Sequence, residues 1–159
     1  MKTLLLTTLL ALTGAAQAHI TLEQAETEAG KPFKAVLRVG HGCEGGAATK
    51  EIVITLPAAL RNAKPMPKPG WTLSLPAPGQ VRWVANSEAD YLQDAWYDEF
   101  IVRGTPAEAG TLWLQVRQVC TSGEWNWAEI PASSSDRPRA PALKLVVKPA
   151  NTPATGHVH

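Results

Sequence analysis

The 159-residue chain has little sulfur, no surplus of charge and, beyond its opening segment, no long apolar run. Each shortage excludes something. Fifteen Lys and Arg face fourteen Asp and Glu, and Lys2 belongs to the opening segment, so residues 19–159 are balanced. A basic field for nucleic acid or an anionic membrane is therefore missing. After residue 18 no stretch approaches the ~20 apolar residues that a spanning helix needs, and the closing Thr155-Gly156-His157-Val158-His159 carries no lipid-anchor signal. Of the two methionines only Met66 lies beyond the opening segment, which excludes a methionine-rich site for a soft metal ion. No internal repeat is present, and the length suits one domain.

What is there begins with the opening segment itself. Lys2 supplies a positive end, Leu4 to Leu12 a mostly apolar stretch, and Ala16-Gln17-Ala18 a small-residue cleavage site, the pattern of a secretory signal peptide. The expected division is a leader over 1–18, one domain over 19–149 and a flexible tail over 150–159, with the mature protein periplasmic or secreted. Cleavage after Ala18 would make His19 the first residue. An amino-terminal histidine offers a metal its α-amine and its imidazole together, a pair of nitrogens that suits Cu(II) better than the oxygen-preferring hard cations. The α-amine, with an ordinary pKa of about 7.7–8.0, loses its proton to a metal near neutral pH.

The rest of the chain reads as strands. Phe33 to Val39 alternates, Ile52 to Leu56 is largely β-branched, and Val81 to Val84 follows a Pro78-Gly79 turn; Phe100 to Val102, Leu112 to Val119 and Leu143 to Val147 continue the series. Thirteen prolines punctuate the connections and interrupt any long helical pattern. The spacing predicts an all-β protein, an antiparallel β-sandwich of immunoglobulin-like or cupredoxin-like outline. Asn62 to Pro69 and Ser133 to Pro141 read as irregular crossings.

Two cysteines, Cys43 and Cys120, would be exported to a compartment where disulfides persist, so pairing is the expectation. Closing so long a loop is worth at most about 4–5 kcal/mol in the chain-entropy account. The bond would set the His41-Gly42-Cys43-Glu44-Gly45-Gly46 loop beside the Cys120 to Trp127 segment. Glu44, Glu124, His41, Trp125 and Trp127 then fall together, and the first strand is placed to bring His19 to the same end. Each has a plainer reading. Glu44 in a glycine-rich loop is equally a solvated charge, His41 is either a second imidazole ligand or a polar loop residue, and of Trp125 and Trp127, two apart and so on one side of an extended chain, one or both read more simply as core residues.

The start His19-Ile20-Thr21-Leu22 with Ala29-Gly30, the His41-Gly42-Cys43-Glu44-Gly45 loop, Gly70-Trp71, Asp98-Glu99-Phe100 and the run Gly123 to Pro131 together resemble the YcnI-like family of exported copper-binding proteins. The resemblance covers nearly all of residues 19–159 and implies a β-sandwich with a mono-histidine brace for Cu(II). In that arrangement the amino-terminal histidine binds through amine and imidazole, a glutamate adds oxygen and a tryptophan packs on the metal. Transferred to this chain, those roles fall on His19, Glu44 and Trp127, with Trp125 the alternative shield. The indole Nε1–H is a donor only, so Trp127 would act through its ring face, as a cation–π partner that also excludes water. The Cys43–Cys120 pair resembles the family version that staples its two site-bearing loops.

The resemblance implies a copper chaperone or a storage and trafficking factor, not an enzyme. The implied partners are other periplasmic copper chaperones or copper-transporting membrane proteins. The alternative is a histidine-brace copper oxidative enzyme, which needs a second imidazole, and His41 is the only internal histidine ahead of the tail. A third reading, a sandwich for protein contact anchored by tryptophans, leaves His19 unexplained. His157 and His159 form at most a loose secondary metal site.

Overall fold

The computed structural model describes residues 19–151, so the expected leader and the tail histidines, His157 and His159, lie outside the described residues. The strands are β1 (Thr21–Leu22), β2 (Glu26–Glu28), β3 (Phe33–Val39), β4 (Thr49–Thr55), β5 (Leu60–Pro65), β6 (Trp71–Ser74), β7 (Gln80–Ala85), β8 (Asp98–Pro106), β9 (Gly110–Cys120), β10 (Glu124–Trp127) and β11 (Leu143–Lys148). One sheet has the order β1-β3-β8-β5; the other runs β2-β11-β9-β4-β7-β6, with β10 added against β9. The two form the predicted sandwich. One pair departs from antiparallel geometry, because β2 runs parallel to β11.

Alternation explains which faces meet. In β3 the side chains of Phe33, Ala35, Leu37 and Val39 are buried while Lys34 and Arg38 are exposed, as a period of two requires. Along β9 the buried set is Leu114, Val116, Gln118 and Cys120. Aromatic rings fill the middle: Phe100 meets Trp71 and Trp83 edge-on, at centroid distances of 5.1 and 5.5 Å. The Trp83 indole N–H donates to the Met66 carbonyl at 3.1 Å, so its polar handle is satisfied.

The segment Asn62 to Pro69 is a correction. Its first half belongs to β5, which pairs with β8 through Leu60, Arg61, Lys64 and Pro65 with a register shift between Arg61 and Lys64. Asn62 carries a positive φ of 54° there, a conformation asparagine tolerates better than most residues. β5 is an edge strand, where proline and lysine are at home; those residues hide it from a reading based on hydrophobic alternation. Ser133 to Pro141 is irregular, as its composition predicts.

On the outer face of the larger sheet, Glu51 lies between Arg82 and Arg117 at 2.6 and 3.0 Å. The hydrogen bond from Arg82 outweighs partial burial and holds the Glu51 carboxyl below the usual glutamate range, with the charges of both arginines adding to the effect. Arg117 also reaches Glu124 on β10 at 3.4 Å. No helix among the described residues is long and apolar enough to cross a membrane.

Candidate metal centre

Cys43 and Cys120 form the expected disulfide, with Cα atoms 6.0 Å apart across 77 residues of sequence. It joins the end of β9 to the loop between β3 and β4. That loop is built tightly. Cys43 N–H donates to the Ala47 carbonyl at 2.9 Å, and a Cβ on Gly42 would stand 2.1 Å from the same carbonyl oxygen, so only glycine fits between His41 and Cys43. The Gly42 N–H donates to Asp94 Oδ1 at 2.8 Å, which fastens the loop to the segment before β8. Past Cys120 the chain reverses through Gly123, at φ +74°, and returns as β10.

β10 sets its two tryptophans on one side of the strand. Their rings stack at 5.3 Å with planes 29° apart. Trp127 is 3% exposed and part of the core, whereas Trp125 is half-buried. Trp127 is oriented by its polar edge: its Nε1–H donates to Gln118 Oε1 at 3.2 Å. Gln118, fully buried on β9, in turn donates through Nε2 to the His41 carbonyl and to Thr49 Oγ1, both at 2.8 Å. One amide thus ties the indole, the His41 loop and β4 together, with its own buried oxygen and nitrogen both bonded.

His19 arrives at the same place. β1 pairs with β3 with Thr21 opposite Arg38, and two residues further back along that register His19 falls opposite Gly40, at the mouth of the His41 loop. Its ring lies 5.5 Å from the Trp127 ring, tilted by 59°. His41 meets Trp127 edge-on at 6.4 Å. The His41 Nδ1 donates to the Gly42 carbonyl, an acceptor only. The His41 Nε2 is buried without a hydrogen-bond partner among the described residues.

Glu44 sits in the short turn Glu44–Gly46, directly after the disulfide. Its carboxylate accepts from the Arg139 guanidinium, and the two side chains are 72% and 66% exposed. Arg139 lies at 4.8 Å over the Trp125 ring. The structure therefore gathers His19, His41, Glu44, Trp125 and Trp127 at one end of the sandwich, with Trp127 the buried indole and Trp125 the outer one. Among the described residues, no three His, Cys, Asp or Glu side chains are grouped closely enough to hold a metal ion. A brace does not require three such residues, since two of its donors come from one amino-terminal histidine. Two nitrogens and a carboxylate fit Cu(II) in donor chemistry.

Three participants escaped the sequence reading. Gln118 left a trace, as the one amide in the inward-facing register of β9. Asp94 and Arg139 left none, because each meets the loop from a distant, irregular segment.

These features define a β-sandwich module of immunoglobulin-like fold with His19, His41, Trp125 and Trp127 collected at one end. The chain belongs to the DUF1775 family, described as a domain of unknown function, which matches residues 19–78 and 76–147 and is the domain family of YcnI-like proteins. An uncharacterized protein from Nocardia farcinica, whose crystal structure revealed an immunoglobulin-like fold, is similar with a TM-score of 0.71 and 26% identity, over 82% of this chain and 98% of that one. The Reelin-N domain of F-spondin resembles the fold alone, with a TM-score of 0.50 and 9% identity over 82% of this chain and 85% of that one. No curated protein matches the chain. Neither fold nor family carries a sign of catalysis.

Proposed function

We propose that this chain is a periplasmic or secreted Cu(II)-binding protein, a copper chaperone or storage and trafficking factor whose metal centre is built on His19 as the first residue of the processed chain. The observation that supports it most is the His19 ring against the buried Trp127, at an end of the sandwich that a disulfide ties to Glu44. His19 supplies amine and imidazole nitrogen. Glu44 supplies a charge that offsets the dication, and Trp127 lays its ring near the metal and keeps water away. Copper, when bound, is cargo in this reading, and its partners are copper-carrying periplasmic proteins or copper-transporting membrane proteins.

The test is a Cu(II) titration of protein beginning at His19, followed by electron paramagnetic resonance. One equivalent with hyperfine structure from the two His19 nitrogens is expected, and a signal like that of aqueous Cu(II) would overturn the proposal. The unpartnered Nε2 of His41 favours a second reading, the two-imidazole brace of an oxidative copper enzyme. His41→Ala distinguishes them: binding and nitrogen count hold under the chaperone reading, and a lost nitrogen moves the protein to the enzyme class.

The indole has its own readout. Cu(II) at one equivalent should quench part of the emission of the six tryptophans. Trp127→Phe should keep most of the affinity, a cation–π contact being worth ~0.5–2 kcal/mol, and lose much of that quenching. Trp125→Phe should do neither; the reverse result would exchange the roles of the two rings.

A further inference from the structure

Arg139 is a cation already seated on one group that the copper reading gives to the site, Glu44, and on the outer tryptophan beside it. It pairs with the Glu44 carboxylate, and its guanidinium covers the face of Trp125, which stacks on Trp127. Glu44, Trp125 and Arg139 line one open cavity of about 390 Å³, together with Cys43, Ser122 and Glu124. The partner chemistry is that of a metal centre, one anionic oxygen donor and one π-face, and a monovalent side chain fills it. Because both members of the pair are largely exposed, the contact is weak, and a dication attracts the same carboxylate about twice as strongly at equal separation.

We infer that Arg139 is a displaceable latch, holding Glu44 and the outer indole while metal is absent and yielding Glu44 when Cu(II) arrives, so that it sets how tightly this protein holds copper. The inference rests on the copper reading above. Its structural logic is that of a carrier: a site that must release its cargo gains from a built-in competitor for one ligand. Arg139 lies in the irregular Ser133 to Pro141 crossing just before Ala140, whose backbone is bonded to Glu129; its own side chain is 66% exposed, so the guanidinium can leave Glu44 by rotation of the side chain without moving a strand. Among the described residues, the Trp125 face is the other contact of its guanidinium and the one that movement must also give up.

The experiment is a competition titration of Cu(II) on protein beginning at His19, for the wild type, Arg139→Gln, Glu44→Gln and the double variant. Arg139→Gln should bind about three- to tenfold more tightly, the equilibrium equivalent of an exposed ion pair and an exposed cation–π contact. Glu44→Gln should bind more weakly, and in its background Arg139→Gln should make no further difference. The metal-free Arg139→Gln protein should also show altered Trp125 emission, since the guanidinium has left the ring. Unchanged or weaker Cu(II) binding by Arg139→Gln, alongside tight wild-type binding that Glu44→Gln weakens, overturns the latch and spares the copper reading. A wild type without tight Cu(II) binding removes both. Arg139→Lys, which keeps the charge and loses the planar stack, should fall between wild type and Arg139→Gln.

Discussion

A chain with one extra residue ahead of His19 should lose tight Cu(II) binding almost entirely, although every side chain of the sandwich is still present. The extra residue turns the α-amine into an amide, which removes one donor and the ring closure that makes amine and imidazole a chelate. His19→Ala should have a similar effect by removing the other nitrogen. The largest functional change expected anywhere in this protein thus comes from a peptide bond outside the folded core. Isothermal titration of the two proteins beside the chain starting at His19, with circular dichroism to show that the sheets are intact, checks it. Equal binding by the extended chain would sink the brace, and intact-mass analysis of exported material showing a start other than His19 would do the same.

The second large effect concerns stability. Replacing Cys43 and Cys120 together by Ser should lower the unfolding free energy by about 2–5 kcal/mol, the usual cost of removing a native disulfide from a small secreted domain. A marginal domain has only some 5–15 kcal/mol in total, so the midpoint of urea unfolding should fall clearly. The bond lies between the loop that carries Glu44 and the hairpin that carries Trp125 and Trp127, and the double variant should therefore also bind Cu(II) more loosely. Lowered stability with unchanged affinity would mean that the Gln118 hydrogen bonds and the Asp94 contact to Gly42 hold the two loops in place by themselves.

The sandwich was legible where burial is one-sided. Leu112 to Val119 and Leu143 to Val147 alternate because one face of each meets the opposite sheet, and the same period of two places Trp125 and Trp127 on a common side. It was not legible at the edges. β5 is largely exposed and, with Arg61, Asn62, Lys64 and Pro65, mostly polar or proline, and β1 and β2 are too short to show any period. The disulfide could be anticipated from count and compartment, and the delivery of His19 to the His41 loop from the order of strands. Which tryptophan is buried could not be anticipated, because that is decided by the amide of Gln118 and by what β10 packs on. The Glu44–Arg139 pair was beyond reach as well: it spans 95 positions, and an exposed arginine in a polar loop carries no mark of its partner.

Ile20 is buried at 4% exposure, and Thr21 is already paired to β3. The chain between His19 and the sheet therefore has no slack, and its length sets where the His19 ring meets Trp127. Inserting a single residue between His19 and Thr21 would either push the histidine ring one step beyond Trp127 or turn the Ile20 side chain out of the core by flipping the strand's faces. If the proposed copper reading holds, removal of the expected leader would be a matter of registration as much as of export: a cut misplaced by one position would leave a well-folded sandwich whose metal-binding end is wrongly made.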